Sequence, residues 1–442
     1  MAVPSSRTGR GAARGVVIVA GGRIPFSRAG TDYDRLVAYD LARMSIAGLL
    51  ARSGVEPSEV DQVVFGNVVQ NVANSNVARD AALAAGVPSS ATAYSVSMAC
   101  ISANRAIADA AMAIAAGHAR VAVAGGVEML GDVPVGFSRE VRRRLFDSRR
   151  YRSALDWRRF FAGLRLHELL PRPPAIVEFS SGESMGEGAD RLAARFGVSR
   201  EDQDAYALRS HQGAVWAREQ GLLARQIIPV TVPMPRSGQV VVEADNGVRD
   251  DTSLERLAEL PPAFVKPFGT VTAGNASPLS DGAAAVVLLD EQFAAARGLR
   301  ARARIKDFCF VAQDPGKELL LGPAYAVPEL LLRNGLTWGD LDVVELHEAF
   351  AGQVLAVLKA FESDRFGRQR LGLAGAFASV DIDIVNPWGG SISLGHPFAA
   401  TGARLVETAV QRLEHGGGGL ALVTACAAGG QGHAMLLERV ET

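Results

Sequence analysis

Apolar and polar positions recur along the chain in blocks that repeat one grammar. "GVVIVAGG", Gly15 to Gly22, is an apolar run closed by glycines and predicts a buried strand. "YDLARMSIAGLLARSG", ending at Gly54, has the spacing of a helix with a glycine stop, and "VDQVVFGNVV" predicts the strand that follows. "AMAIAAGHARVAVAGGVEM" repeats helix, glycine turn and strand. Such alternation predicts a parallel α/β sheet with helices on both faces.

The second half of the chain is built the same way. "LLARSGVEPSEVDQVVFGN" and "LLLRNGLTWGDLDVVELHE" each place a glycine seven residues before an aspartate, Gly54 to Asp61 and Gly335 to Asp342, with a β-prone run directly after. "HGGGGLALVTACAAGG" near the carboxyl end echoes "GHARVAVAGG". Two similar α/β halves are expected, a duplication and not a solenoid, which needs more copies.

Between the halves the pattern changes. From Arg139 to Arg165 the chain carries ten arginines against Glu140, Asp147 and Asp156, with Leu145, Phe146, Tyr151, Leu155, Trp157, Phe160, Phe161 and Leu164 at roughly helical spacings. "PRPPA", Pro171 to Ala175, stops any helix that precedes it. This basic, amphipathic insertion reads either as a solvated helical lid or as a surface for an anionic partner: a phosphate-bearing ligand, an acidic protein or a membrane.

Composition narrows the classes. A chain of 442 residues with 48% hydrophobic content can bury more than one core. A formal net charge of −1 gives no reason to expect nucleic acid as the main partner. Three cysteines, Cys100, Cys309 and Cys426, are too few for a disulfide framework, lack the paired spacing of a metal site, and fit a reducing compartment. The basic amino end lacks an apolar run with a cleavage site and reads as a frayed tail entering a strand. No run reaches the roughly 18 apolar residues of a membrane span.

"SVSMACISANRAIADAAMAI" puts Cys100 where a small-residue stretch becomes a helix. Taken alone, Cys100 could be a buried packing residue, a redox or metal residue, or a nucleophile. Other stretches set titratable groups among small residues: "LHEAFAGQ" with His347 and Glu348, "NPWGGSISLGHPFAATG" with Asn386 and His396, "TACAAGGQG" with Cys426, and "TVTAGNASPLSDGAAA" with Ala273 and Ser277. Glycines around His396 permit close backbone approach.

"SMACISAN", "AGGVEM", "GNASPLSDGA", "HEAFAGQ", "NPWGGSISLGHPFAATG" and "CAAGGQG" occur in the order and approximate separations of the thiolase family, and the resemblance runs from about Gly15 to Glu438. "GGVEMLGDVP" and the histidine in "HEAF", where many relatives have asparagine, resemble the degradative 3-ketoacyl-CoA thiolases of the trifunctional-complex β-subunit type. The resemblance implies the thiolase fold: duplicated βαβαβαββ core domains in five layers with an inserted loop domain. It divides the chain into an amino-terminal domain, residues 14–130 and 279–298, a loop domain for CoA, residues 131–278, and a carboxyl-terminal domain, residues 299–442.

The same resemblance implies roles. Cys100 would carry the acyl group, helped by unpaired N–H groups at a helix start that lower its pKa. His396 would take the proton of Cys100, and Cys426 would protonate the departing enolate and later deprotonate CoA. The enolate-like oxygen falls to His396 and to a water positioned by His347; the tetrahedral oxyanion falls to the backbone N–H groups of Cys100 and Ala428, where relatives often have glycine. Asn386 would orient neighbouring groups, and Glu348 would either orient a histidine or end a helix. Met185, Ala273 and Ser277 resemble residues of the pantetheine slot, although Ser184 stands where many members have histidine. Coenzyme A is the cosubstrate; no prosthetic group and no metal are implied.

The expected function is CoA-dependent cleavage of 3-ketoacyl-CoA in fatty-acid β-oxidation. The alternatives are a biosynthetic acetoacetyl-CoA thiolase, a ketoacyl-synthase or hydroxymethylglutaryl-CoA-synthase type enzyme, and a non-enzymatic acyl-CoA carrier or scaffold. A homodimer or homotetramer, a hydratase-dehydrogenase partner or peripheral membrane contact for the insertion, and a cytoplasmic location complete the expectation.

Overall fold

The computed structural model describes residues 14–172, 177–234 and 238–440. Residues 1–13 and 173–176 lie outside it, so the amino-terminal tail and most of the "PRPPA" stop do too.

In chain order the strands are β1 (Val16–Arg23), β2 (Ser27–Arg28), β3 (Gln62–Gly66), β4 (Thr92–Val96), β5 (Val121–Glu128), β6 (Val230–Met234), β7 (Gly238–Val242), β8 (Ser280–Asp290), β9 (Ala303–Ala312), β10 (Val343–Leu346), β11 (Leu420–Ala427) and β12 (Gln431–Arg439). The main sheet runs β10-β11-β12-β9-β1-β8-β5-β3-β4, with β2 paired to β8. Its two halves meet through a short antiparallel pairing, Val17 with Arg304 and Ile18 with Ala303. Outward from this seam the orders correspond: β1-β8-β5-β3-β4 on one side and β9-β12-β11-β10 on the other. Where β4 has its counterpart, the second half has only an isolated parallel bridge between Val344 and Val385.

The glycine-aspartate repeat acquires a physical meaning here. Gly54 and Gly335, both at positive φ, end the preceding helices Ala38–Ser53 and Gly322–Arg333. Asp61 accepts from the backbone N–H groups of Arg120 and Val121 at the start of β5. Asp342 accepts from those of Gly419 and Leu420 at the start of β11. In each half one carboxylate therefore satisfies the amides that a parallel neighbour leaves unpaired at its entry.

Strand alternation builds the layers. Val17, Val123, Val287 and Leu289 face a core shared with the helices Ala38–Ser53 and Val77–Ala84. Ile18, Ala122, Val286, Val423 and Leu437 face a central core containing the helices Ser102–Ala115 and Thr401–Gly416. Leu422, Cys426 and Leu436 face a third core with the helices Gly322–Arg333 and Ala351–Phe361. The order is helix, sheet, helix, sheet, helix, and Ser102–Ala115 and Thr401–Gly416 share the middle layer.

The segment between β5 and β8 holds the arginine-rich region as two helices, Arg139–Ser148 and Ala154–Phe161. Arg144 joins them by donating to the carbonyls of Phe160 and Ala162. Phe146, Leu155, Trp157, Phe161 and Leu166 remain exposed. Among the described residues no helix is long and apolar enough to cross a membrane.

Candidate active site

Four loops converge at the middle layer. The first is the turn before the helix Ser102–Ala115. Ser102 closes it, accepting from the N–H of Met98 and donating to the carbonyl of Ala99. Ala99 sits at φ 46, a left-handed conformation that L-residues avoid at a cost of about 1 kcal/mol or more. This turn presents Cys100, the least buried of the three cysteines, all of which are free.

The second loop carries His396. Gly395, at φ 106, lets the chain pass close to the Ser280 side chain. Ser280 Oγ accepts from the N–H of His396. Glu128, buried at the end of β5, accepts from the N–H of Ala399. A Cβ on Gly126 would overlap the Ala399 carbonyl, so "AGGVEM" needs its glycine to seat this loop. His396 Nε2 lies 3.2 Å from Cys100 Sγ, and Nδ1 lies 2.6 Å from Thr401 Oγ1. The Thr401 hydroxyl donates to the Pro397 carbonyl at 3.4 Å, so its oxygen receives the Nδ1 proton. Nε2 is then the bare nitrogen, facing the sulfur as a base.

The third loop extends β10. His347 continues the parallel pairing through its N–H to the Thr424 carbonyl. Its ring centroid is 4.2 Å from that of His396, and Nδ1 is 2.9 Å from Ser391 Oγ. One donor atom from each of Cys100, His347 and His396 lies within 4.8 Å of the others. The fourth loop ends β11 with buried Cys426. Cys426 is close enough to Cys100 for a charge on the Cys100 sulfur to oppose its ionisation.

Burial governs the electrostatics. It pushes the Cys100 thiol up to about 12, against the opposing Ala428 N–H, and pushes the Cys426 thiol well above its ordinary range. It also lowers His396 to about 3, with the Arg404 cation adding to the effect. His347 is driven far below its ordinary value by burial first, then by His396 and Arg404. The expected lowering of the Cys100 pKa by a helix start is thus corrected. The N–H groups of Ile101 and Ser102 are already spent on the carbonyls of Met98 and Ala99, so desolvation wins. The resting pair is a neutral thiol beside a neutral imidazole.

The remaining site residues divide clearly. Ala428 adjoins Cys100 through its backbone N–H, and it is not among the residues at positive φ, so alanine keeps the donor without strain. Asn386, at φ 47, clamps Leu346 by accepting from its N–H and donating to its carbonyl, and also donates to Glu348 Oε1. Among the described residues Glu348 has no hydrogen bond to a histidine side chain, and it precedes the helix Ala351–Phe361 instead of ending one, which corrects both expectations. Its carboxylate accepts from Tyr206, Ser210, Asn386 and the N–H of Ile392, bracing the loops against the helix Arg200–Glu219.

Ser277 donates its N–H to the Ala349 carbonyl, and Ala276 bridges Phe350, so the loop bearing Ala273 and Ser277 runs beside the His347 loop. Ala273 is exposed there. Met185 opens the helix Met185–Arg195 and packs on the third core; Ser184 caps that helix in a reciprocal pair with Glu187. None of these three has a direct hydrogen bond to Cys100, His347 or His396 among the described residues. Motif reading missed Ser391, Thr401, Arg404 and Glu128, although all lie within or near quoted motifs.

Comparison with known proteins points to a single family. The family "Thiolase, N-terminal domain" matches residues 16–292 and "Thiolase, C-terminal domain" matches residues 299–439. The chain is 49% identical over 425 residues to the mitochondrial trifunctional enzyme subunit beta of Bos taurus, covering 96% of this chain and 88% of that protein. It is 45% identical over 423 residues to a 3-ketoacyl-CoA thiolase of Yersinia pestis (strain Pestoides F), covering 96% of each. Among solved structures, Bacillus anthracis acetyl-CoA acetyltransferase superposes with a TM-score of 0.85 at 35% identity over 97% of this chain and 100% of that one. Human mitochondrial 3-ketoacyl-CoA thiolase gives 0.83 at 30% identity over 98% and 100%.

Proposed function

Because this chain belongs to the thiolase family, we propose that it cleaves 3-ketoacyl-CoA with CoA, giving acetyl-CoA and a shortened acyl-CoA, in the degradative direction of fatty-acid β-oxidation. The observation that carries the reading is the 3.2 Å contact between Cys100 Sγ and His396 Nε2, with a second thiol, Cys426, within electrostatic reach.

In the first half-reaction the Cys100 proton passes to His396 Nε2 as the sulfur attacks the 3-keto carbon. The oxyanion that forms is met by the N–H groups of Cys100 and Ala428. As the C2–C3 bond breaks, its electrons pass into the acetyl-CoA enolate, whose oxygen faces protonated His396 and His347. Cys426 gives the enolate carbon a proton, leaving acyl-Cys100 and a Cys426 thiolate. In the second half-reaction that thiolate takes the proton of incoming CoA. The CoA sulfur attacks the acyl carbon, and Cys100 leaves and regains its proton from His396. Neutral resting thiols suit this cycle, because each proton moves only when a carbon-sulfur or carbon-carbon bond changes.

Incubation with a 3-ketoacyl-CoA and no free CoA is expected to release acetyl-CoA and add one acyl mass to the peptide containing Cys100. An acyl mass on Cys426 would reverse the two roles. Extending the series from four to eight or more acyl carbons is expected to raise kcat/KM by up to roughly fourfold per buried methylene. Use of the four-carbon substrate alone would favour the biosynthetic direction.

The exposed apolar and arginine side chains of the helices Arg139–Ser148 and Ala154–Phe161 support a second role, docking of a hydratase-dehydrogenase protein. The similarity to trifunctional enzyme β subunits supports the same partner class.

A further inference from the structure

His347 rests on a pair of residues whose donor directions are chemically fixed. Arg404 is fully buried, and its one side-chain hydrogen bond among the described residues runs from Nη2 to Ser391 Oγ at 2.8 Å. A guanidinium can only donate, so Ser391 accepts there. Among the described residues the Ser391 hydroxyl proton then has one acceptor, His347 Nδ1 at 2.9 Å. The opposite arrangement, with Nδ1–H donating to Ser391, would leave that hydroxyl proton without an acceptor in a fully buried position.

We propose that Ser391 and Arg404 are positioning residues that lock His347 in the Nε2–H tautomer, making it a neutral donor to the enolate oxygen of the acetyl-CoA half. The inference rests on the thiolase reading for the identity of that oxygen, but not for the tautomer itself. His347 Nε2 is buried and has no partner among the described residues, and a nitrogen of the same ring lies in a close group with Cys100 Sγ and His396. The two rings, 4.2 Å apart, therefore carry opposite tautomers. His396 gives its Nδ1 proton to Thr401 and keeps Nε2 bare as the base, whereas His347 keeps Nδ1 bare toward Ser391 and offers Nε2–H.

This arrangement answers a problem that two adjacent histidines create. Either could take the thiol proton, and a His347 imidazolium would oppose protonation of His396 beside it. Arg404 places a fixed positive charge behind Ser391, on the Nδ1 side of His347, where a second proton would have to bind. Glu345 sits 3.6 Å from Arg404 Nη1 but is shared with Arg412 at 2.7 Å, so the Arg404 charge is only partly answered. His347 is left as a donor and His396 as the base.

The test reads the tautomer directly in the resting protein. Uniform 15N-histidine labelling, with the His347 signals assigned by their loss in His347→Asn, is expected to show a neutral ring protonated at Nε2 from pH 6 to 9. In Ser391→Ala that single state is expected to give way to a mixture, kcat to fall about tenfold with KM for the 3-ketoacyl-CoA changed less than about twofold, and the kcat effect to vanish in a His347→Asn background. A wild-type ring protonated at Nδ1, or at both nitrogens, overturns the proposal even if Ser391→Ala fails to fold. An equal kcat loss in both backgrounds assigns Ser391 a merely structural role and overturns it too. Because the spectrum needs no substrate, failure of the thiolysis assignment would leave the tautomer result standing.

Discussion

Replacing Glu348 by glutamine isolates its bracing role, because the amide has the carboxylate's shape and lacks only its two-sided acceptor character. Glu348 Oε1 receives Tyr206 at 3.0 Å and Asn386 Nδ2 at 2.8 Å; Oε2 receives Ser210 at 2.8 Å and the N–H of Ile392 at 3.3 Å. The two hydroxyls can rotate to accept from an NH₂ group, but the Ile392 N–H cannot reverse, and Asn386 can turn only by losing its clamp on Leu346. Either amide orientation therefore opposes one donor with another. The cheaper choice faces Ile392, the longest of the four contacts. The Ile392 bond is lost and its buried N–H left unsatisfied, at about 1–3 kcal/mol, and the bonds from Tyr206 and Asn386 lose their charge assistance, at about 1 kcal/mol each. Relief from burying a charge offsets part of this, so a net loss of about 2–4 kcal/mol is expected for Glu348→Gln. Urea denaturation followed by fluorescence gives the value, and kcat is expected to fall with it because the loops of His347 and Ser391 share the brace. A stability change under about 1 kcal/mol, with altered pH dependence of kcat, would return Glu348 to a role in orienting a histidine.

With the Cys100 thiol held near 12, inactivation by iodoacetamide is expected to quicken about tenfold per pH unit from 7 to 10, and a plateau below pH 9 would show that the helix start outweighs burial. His396 and His433 are both held near 3 in the folded chain but bind protons in the unfolded chain below about 6.5, so stability is full above that pH and lost as pH falls toward 3. His433→Leu, at a buried ring whose two nitrogens have no partner among the described residues, is expected to cut the proton uptake on unfolding at pH 5 by about one; an unchanged uptake would place the neutral histidines elsewhere. Replacing Arg142, Arg143, Arg149 and Arg150 by glutamine and Phe146 and Phe161 by serine is expected to spare thiolysis while reducing recovery of a native complex. Retained recovery with lost binding to anionic vesicles would make the surface a membrane contact instead.

The sequence made the framework legible where one backbone need repeats. Gly54 and Asp61, with Gly335 and Asp342, mark the same helix end and the same strand entry in both halves, and together with the echo of "GHARVAVAGG" in "HGGGGLALVTACAAGG" they expose the duplication. The second half reduces the β4 counterpart to a bridge at Val385, because the alternating run "VDIDIV", Val380 to Val385, turns through Ile382–Ile384 before it can pair as a strand. The side chains that the fold gathers, Cys100, His347, His396 and Cys426, were legible from their motifs. Their protonation states were not, since these depend on desolvation and on which backbone amides are already engaged, and both are properties of packing.

The residues that sequence reading passed over share one trait: each acts through another residue. Thr401 fixes which nitrogen of His396 is bare, Glu128 seats the loop that carries it, and Ser391 and Arg404 do for His347 what Thr401 does for His396. Serine, threonine and arginine are common on helices and turns, and nothing in their spacing says whether a hydroxyl bonds its own turn or a histidine 44 positions away. Only the fold brings the donor-only guanidinium, the two-way hydroxyl and the imidazole into one line. A change at Ser391 or Thr401 that keeps all four reactive side chains could therefore alter catalysis by changing which ring nitrogen holds the proton.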